Sequence, residues 1–223
     1  MNKIFSMLTS TILVMLSACS TPIAPTQPEN GVVYNYKSSS FGRNFSKLNV
    51  ITKGTVNVTS DGTTTVAGIP FFKQGKDNTC GQATITSILN FWGVDIDYQT
   101  VINESNPSNM PTDLLSIEYY IKNKGLNVKV TNNSTIKDIE DLIDQGKPPI
   151  VLLDFGGLSY EHYIVVSGCN EKKKTILIND PRNGANLSIK QADFLKIWNN
   201  QSLGNLLIFG NKYYRPIVAV SSL

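Results

Sequence analysis

Histidine is nearly absent from this sequence: His162 is the only one in 223 residues. One histidine and no paired CxxC leave too few ligands for a zinc site of the usual kind, so neither a metal nor another cofactor is expected. The same scarcity has a second consequence, since any imidazole base must be His162. Charge of one sign is also lacking. Twenty Lys and Arg stand against 17 acids, a net charge of +3. The only basic block, Lys172-Lys173-Lys174, lies between two apolar runs and reads as a solvated hairpin turn, which argues against a nucleic-acid partner. There is no phosphate loop, no internal repeat and no apolar run long enough to cross a bilayer as a stable helix.

What is present describes an ordinary globular protein, with 41% hydrophobic and 17% charged residues, long enough for one core-forming domain and a tail. Residues 1–18 read as a targeting segment: Met1-Asn2-Lys3 is a short positive start, and 4–16 is apolar. Leu16-Ser17-Ala18-Cys19 resembles the lipobox of bacterial lipoproteins. That resemblance implies that Cys19 is acylated and holds the chain on a membrane, several acyl chains making a stable anchor where one would not; the alternative is a plain cleaved signal. The expected location is the cell envelope. Ser20, where inner-membrane lipoproteins tend to have Asp, favours the outer membrane facing the periplasm if the source has two membranes. Residues 19–31, with Thr21-Pro22, Ala24-Pro25 and Gln27-Pro28, read as an extended tether. Residues 32–66 read as a lead-in with one or two short strands, and 67–223 as the folded domain.

Within that domain, Ile85, Ile88, Leu89 and Trp92 recur at i, i+3, i+4 and i+7, predicting a helix from near Cys80 to Gly93. A second helix is expected from Pro111-Thr112-Asp113 to Gly125, and a third from Ser134 or Thr135 to Gly146. Strands are expected over 126–130, 149–155, 160–167, 175–179, 206–210 and 217–220, with a turn at Asp180-Pro181-Arg182-Asn183-Gly184 and a short helix over 191–198. Helices first and an antiparallel sheet afterwards make an α+β domain.

A nucleophilic thiol needs a lowered pKa, a base, a group that orients the base and donors for the developing oxyanion. Cys80 lies at a predicted helix N-terminus, where unpaired N–H groups favour thiolate. Asp180 lies eighteen residues after His162, and a hairpin across the lysine turn would make them neighbours. Gln74 stands six residues before Cys80, the spacing at which papain-like enzymes carry a side-chain amide for the oxyanion, and the Cys80 N–H is the second candidate donor. Gly81 is expected to let substrate approach the sulfur. Two other roles remain open to Cys80: packing as a small hydrophobe, and a disulfide with Cys169, which lies a strand length from His162.

Gln74 through Cys80-Gly81, His162-Tyr163-Ile164-Val165-Val166 and Ile178-Asn179-Asp180-Pro181-Arg182-Asn183-Gly184 resemble the C39 peptidases, papain-like domains that remove double-glycine leader peptides. The likeness extends through Phe91-Trp92-Gly93-Val94, Lys124-Gly125-Leu126, Pro148-Pro149-Ile150-Val151 and Phe194-Leu195-Lys196-Ile197-Trp198, roughly residues 68 to 210. It implies a papain-like fold with N-terminal helices packed on an antiparallel sheet, Cys80 as nucleophile, His162 as general base and later acid, Asp180 as orienting group and Gln74 as oxyanion-hole amide. Leader-processing members are usually fused to an exporter and its ATPase and face the cytoplasm. These 223 residues hold neither partner domain, and an exported chain faces outward. The expected activity is therefore hydrolysis of an exported peptide or protein, with a secretion apparatus as a candidate partner. The alternative is a non-hydrolytic module that binds a secreted polypeptide.

Overall fold

The computed structural model describes residues 54–155, 161–198 and 213–223. The targeting segment, the lipobox with Cys19, the tether, most of the lead-in and the strand expected over 206–210 lie outside the described residues.

Two short strands, β1 (Val56–Val58) and β2 (Thr63–Val66), come first. Three helices follow: α1 (Cys80–Phe91), α2 (Tyr98–Ser105) and α3 (Leu114–Asn123). Next are β3 (Asn127–Thr131), α4 (Ile136–Asp144), β4 (Ile150–Asp154), β5 (Glu161–Asn170), β6 (Thr175–Asp180), β7 (Gly184–Lys190), α5 (Gln191–Trp198) and β8 (Ile217–Ser221). Helix α4 starts at a capping box, in which Thr135 accepts from Asp138 N and the Asp138 carboxylate accepts from Thr135 N. Helix α3 starts on Asp113, whose side chain accepts from Ser116 N. Two elements go beyond the sequence expectations, α2 and β7.

All eight strands of the described residues join one antiparallel sheet. Its hub is β5. On one edge the first half of β5 pairs with β4, Leu153 opposite His162, and its last residues pair with β2, Gly168 opposite Thr65. On the other edge β6 runs back beside it across the lysine turn. The sheet therefore begins with β1 and β2, ahead of residue 67. A bulge between Val166 and Gly168 re-aims β5 midway, and the glycine is required there: a Cβ on Gly168 would run into the Thr64 carbonyl oxygen.

Two apolar clusters share the interior. One gathers Ile85, Ile88 and Leu89 of α1 with Leu114, Ile117 and Ile121 of α3 against Tyr163 and Val165. The other gathers Ile139 and Ile143 of α4 with Phe194 and Trp198 of α5 against Ile164, Val166 and Ile178. Alternate residues of β5 thus feed opposite clusters, as the two-residue period of a strand dictates. The central strand is held from both sides, and its first residues are presented to the N-terminus of α1.

Candidate active site

Cys80 is the first residue of α1. Thr79, at the cap position, makes no side-chain capping bond; its hydroxyl instead donates to the Lys76 carbonyl at 2.6 Å. No acidic side chain occupies the first turn. The positive end of the helix is therefore not offset by a carboxylate, which favours an anion on the adjacent sulfur.

His162 and Asp180 meet where β5 and β6 run side by side. Val165 pairs with Asn179, so His162 and Asp180 share the opposite face on a diagonal within side-chain reach. His162 Nε2 lies 2.6 Å from Asp180 Oδ1, and both side chains are buried. The Asp180 carboxylate also accepts from Arg182 N at 2.8 Å, Asn183 N at 3.2 Å and Asn183 Nδ2 at 2.7 Å. The turn after β6 therefore fixes the carboxylate, and the carboxylate fixes the ring. That leaves Nδ1 for the thiol; it is buried with no partner of ordinary hydrogen-bond geometry. The ring and the sulfur nonetheless lie close enough to bias each other's protonation.

Burial opposes charge on all three groups and is outweighed in each. Burial pushes the Cys80 thiol up, but His162 and the backbone amides of Tyr163 and Gly81 hold it below the ordinary thiol value. Burial works against the His162 imidazolium, yet Asp180 and Cys80 raise it to about 9. Burial likewise raises Asp180, while His162, Asn183 and the Arg182 amide bring it down to about 2. All three shifts run toward thiolate, imidazolium and carboxylate in a row, the charge distribution of an activated thiol.

Gln74 lies in the loop before Cys80. Its backbone N–H donates to the Pro181 carbonyl at 3.0 Å, tying this loop to the turn that holds Asp180. Its side-chain Nε2 donates to the Lys76 carbonyl at 3.2 Å, and its Oε1 is buried without a partner. Gly81 has a different role from the one expected. It is buried in α1, and a Cβ there would meet Thr112 Cβ at 3.3 Å and Tyr163 Cδ2 at 3.5 Å. The glycine lets α1 pack closely on its neighbours; it does not open space at the sulfur. Cys169, 5% exposed near the far end of β5, is a free thiol, as is Cys80. Burial, and then Glu140, Asp144 and Glu171, push Cys169 up to about 11.

A polar network that sequence reasoning missed braces the nucleophile loop. The Gln82 amide, fully buried in α1, donates to Thr112 Oγ1 at 3.0 Å and Ser105 Oγ at 3.3 Å. Asn106, just after α2, donates to the carbonyls of Asn78 at 3.0 Å and Met110 at 2.9 Å and accepts from Met110 N at 2.8 Å. Tyr163, next to His162, donates its hydroxyl to the Thr112 carbonyl at 2.9 Å. Tyr98 accepts from Gly75 N at 3.3 Å and lies 3.5 Å from the Thr79 carbonyl. The legible signal was the Asp97-x-x-Thr100 start of α2, where Asp97 accepts from Thr100 N at 2.9 Å.

No curated protein matches the chain. Among solved structures, it is similar to the peptidase domain of Streptococcus ComA, a bi-functional ABC transporter involved in a quorum sensing pathway. The two are 16% identical with a TM-score of 0.54, covering 70% of this chain and 100% of that one. It is also similar to a C39-like peptidase from Bacillus anthracis, at 13% identity and a TM-score of 0.51, covering 71% and 98%. A double glycine motif protease from an AMS/PCAT transporter, solved in complex with the leader peptide, aligns at 17% identity with a TM-score of 0.50, covering 77% and 94%. At such identities these likenesses concern the fold, and they agree with the mixture of helices and antiparallel sheet described above. The model of the Peptidase_C39 like family matches residues 66–204, a span that runs from the end of β2 through Cys80, His162 and Asp180 and past α5. With that span covering more than half of its length, the chain belongs to the Peptidase_C39 like family.

Proposed function

We propose that this protein is a cysteine peptidase that cleaves an exported peptide or protein at the cell envelope, held there by lipid on Cys19. The observation that carries the reading is the buried 2.6 Å contact between His162 and Asp180 beside a thiol whose pKa is lowered. The Cys80 thiolate attacks the scissile carbonyl carbon, and the oxyanion is received by the Cys80 N–H and the Gln74 amide. The His162 imidazolium then gives its proton to the leaving amine as the C–N bond breaks, which leaves a thioester on Cys80. Water deprotonated by His162 hydrolyses the thioester and restores the thiolate. Asp180 holds the ring so that Nε2 faces the carboxylate and Nδ1 serves the sulfur.

The Lys76 carbonyl takes one N–H of the Gln74 amide, which leaves the other for the oxyanion. The peptide ligand of the transporter protease, and the transporter attached to the Streptococcus domain, make a polypeptide substrate near a secretion apparatus the natural extension to this chain. An exported lipoprotein would act on its substrate outside the cytoplasm, on the outer membrane if the source has two membranes.

A binding module on the same fold is the second reading. It has no use for a polarised thiol, and it is separated from the first by complementation of a deletion strain with Cys80→Ala. The peptidase reading expects loss of function at normal abundance and an uncut polypeptide among the exported material. Full rescue by Cys80→Ala would favour binding. The anchor is tested separately: Cys19→Ser should move the protein out of the membrane fraction, and unchanged membrane association would overturn the lipid assignment.

A further inference from the structure

We infer that Tyr98 is a positioning residue for acyl transfer, its hydroxyl setting the spacing between the two groups that receive the oxyanion. This rests on the reading above, in which Gln74 and the Cys80 N–H are those groups.

Tyr98 opens α2, where Asp97 caps the helix. Its hydroxyl lies between two points of the nucleophile loop. It accepts from Gly75 N at 3.3 Å, one residue after Gln74, and donates to the Thr79 carbonyl at 3.5 Å, one residue before Cys80. On the Gln74 side, the Gly75 amide belongs to the peptide that Gln74 itself begins, and Gln74 N is held by the Pro181 carbonyl. Residue 74 is thus pinned at both ends.

On the Cys80 side, the Thr79 carbonyl also accepts from Ala83 N at 3.0 Å. No peptide bond among the described residues is cis, and in a planar trans peptide the C=O and N–H point in opposite directions. Holding the Thr79 oxygen therefore aims the Cys80 N–H away from Tyr98. The phenol lies on the carbonyl side of that peptide, so it does not touch the oxyanion. It sets the direction of the group that does.

The loop needs such a brace. Thr79 gives α1 no side-chain cap, and Asn78 has a φ of 62°, in the left-handed region that a non-glycine residue adopts at some cost. From the other end of α2, Asn106 holds the Asn78 carbonyl. The two ends of one short helix therefore bracket the loop, Asn106 fixing its turn and Tyr98 fixing its donors.

Two reactions of the same sulfur separate this role from simple structural support. Alkylation by iodoacetamide forms an S–C bond at a methylene carbon as iodide departs, and no oxyanion develops. Acylation by p-nitrophenyl acetate forms an S–C bond at a carbonyl carbon and expels p-nitrophenolate through an oxyanion. Losing an oxyanion donor outright costs on the order of 100-fold or more, and misaiming one should cost about tenfold. In Tyr98→Phe, burst acylation of Cys80 by p-nitrophenyl acetate should fall about tenfold, while alkylation by iodoacetamide at pH 7 stays within about twofold of wild type. Unchanged acylation would overturn the inference alone. An equal fall in both reactions would make Tyr98 a general support and overturn it too. Wild-type acylation no faster than that of Cys80→Ala would instead overturn the peptidase reading, and this inference with it.

Discussion

At the scale of single residues, the site depends on Asp180 more than on any apolar contact around it. Its carboxylate answers four donors, one of them His162 Nε2. Asp180→Ala would leave a buried ring nitrogen and a turn amide without acceptors. We expect it to lower stability by about 1–3 kcal/mol, read from urea unfolding, and to slow alkylation of Cys80. The pH dependence follows from the direction of each shift. His162 rises from 6.5 to about 9, so the folded state holds its proton more tightly, and that contribution is complete below pH 6.5 and lost as the pH climbs through about 9. Asp180 falls from 3.8 to about 2, so its contribution is present above pH 3.8 and lost as the pH drops through about 2. The lowered Cys80 thiol acts in the opposite sense to His162, its contribution being complete only above about pH 9, so urea midpoints should fall as the pH drops below about 4 and change little between about pH 6.5 and 9, where the gain from the thiol offsets the loss from His162. Cys169 provides an internal control, because a thiol pushed up to about 11 should stay unlabelled at pH 7 while Cys80 reacts.

At the scale of elements, local chemistry explains both what was legible and what was not. Helices α1, α3 and α4 were readable because their apolar residues recur at helical spacing and because Asp113 and Thr135 stand at the caps. Thr135→Ala should cost about 1 kcal/mol, measurable as a lower thermal midpoint with the fold intact. Helix α2 escaped because Val101 is its only buried residue and its one apolar stripe is too short to repeat. Strand β7 escaped because Gly184 opens it and Asn186 takes a φ of 54°, which reads as a turn. Its alternating Leu187 and Ile189 were too few to outweigh that. The same logic applies to the site. Cys80, His162, Asp180 and Gln74 stood out by residue type and spacing, whereas Tyr98, Gln82 and Asn106 act through contacts far apart in sequence that no local pattern encodes. Gly81 was misread for that reason too, since Thr112 and Tyr163 crowd it only in three dimensions.

At the scale of the whole molecule, the sheet and its two apolar clusters hold a helix end and a strand end in register, and the site exists only where they meet. Strand β5 is central to both clusters, so changes far from the thiol should reach it. Gly168→Ala, which would drive a methyl group against the Thr64 carbonyl, should destabilise the fold by several kcal/mol and loosen the hairpin carrying Asp180. A stability well below wild type by urea unfolding would agree, and an unchanged one would remove the reason for the bulge glycine. The central claim is that His162, held by Asp180, lowers the Cys80 thiol and so favours its thiolate, and the pH profile of Cys80 alkylation by iodoacetamide tests it most directly. The account predicts a wild-type rate that rises at a lower pH than that of His162→Ala, whose rate climbs only as an ordinary thiol ionises, around pH 8.5. Superimposable profiles for the two proteins would contradict it.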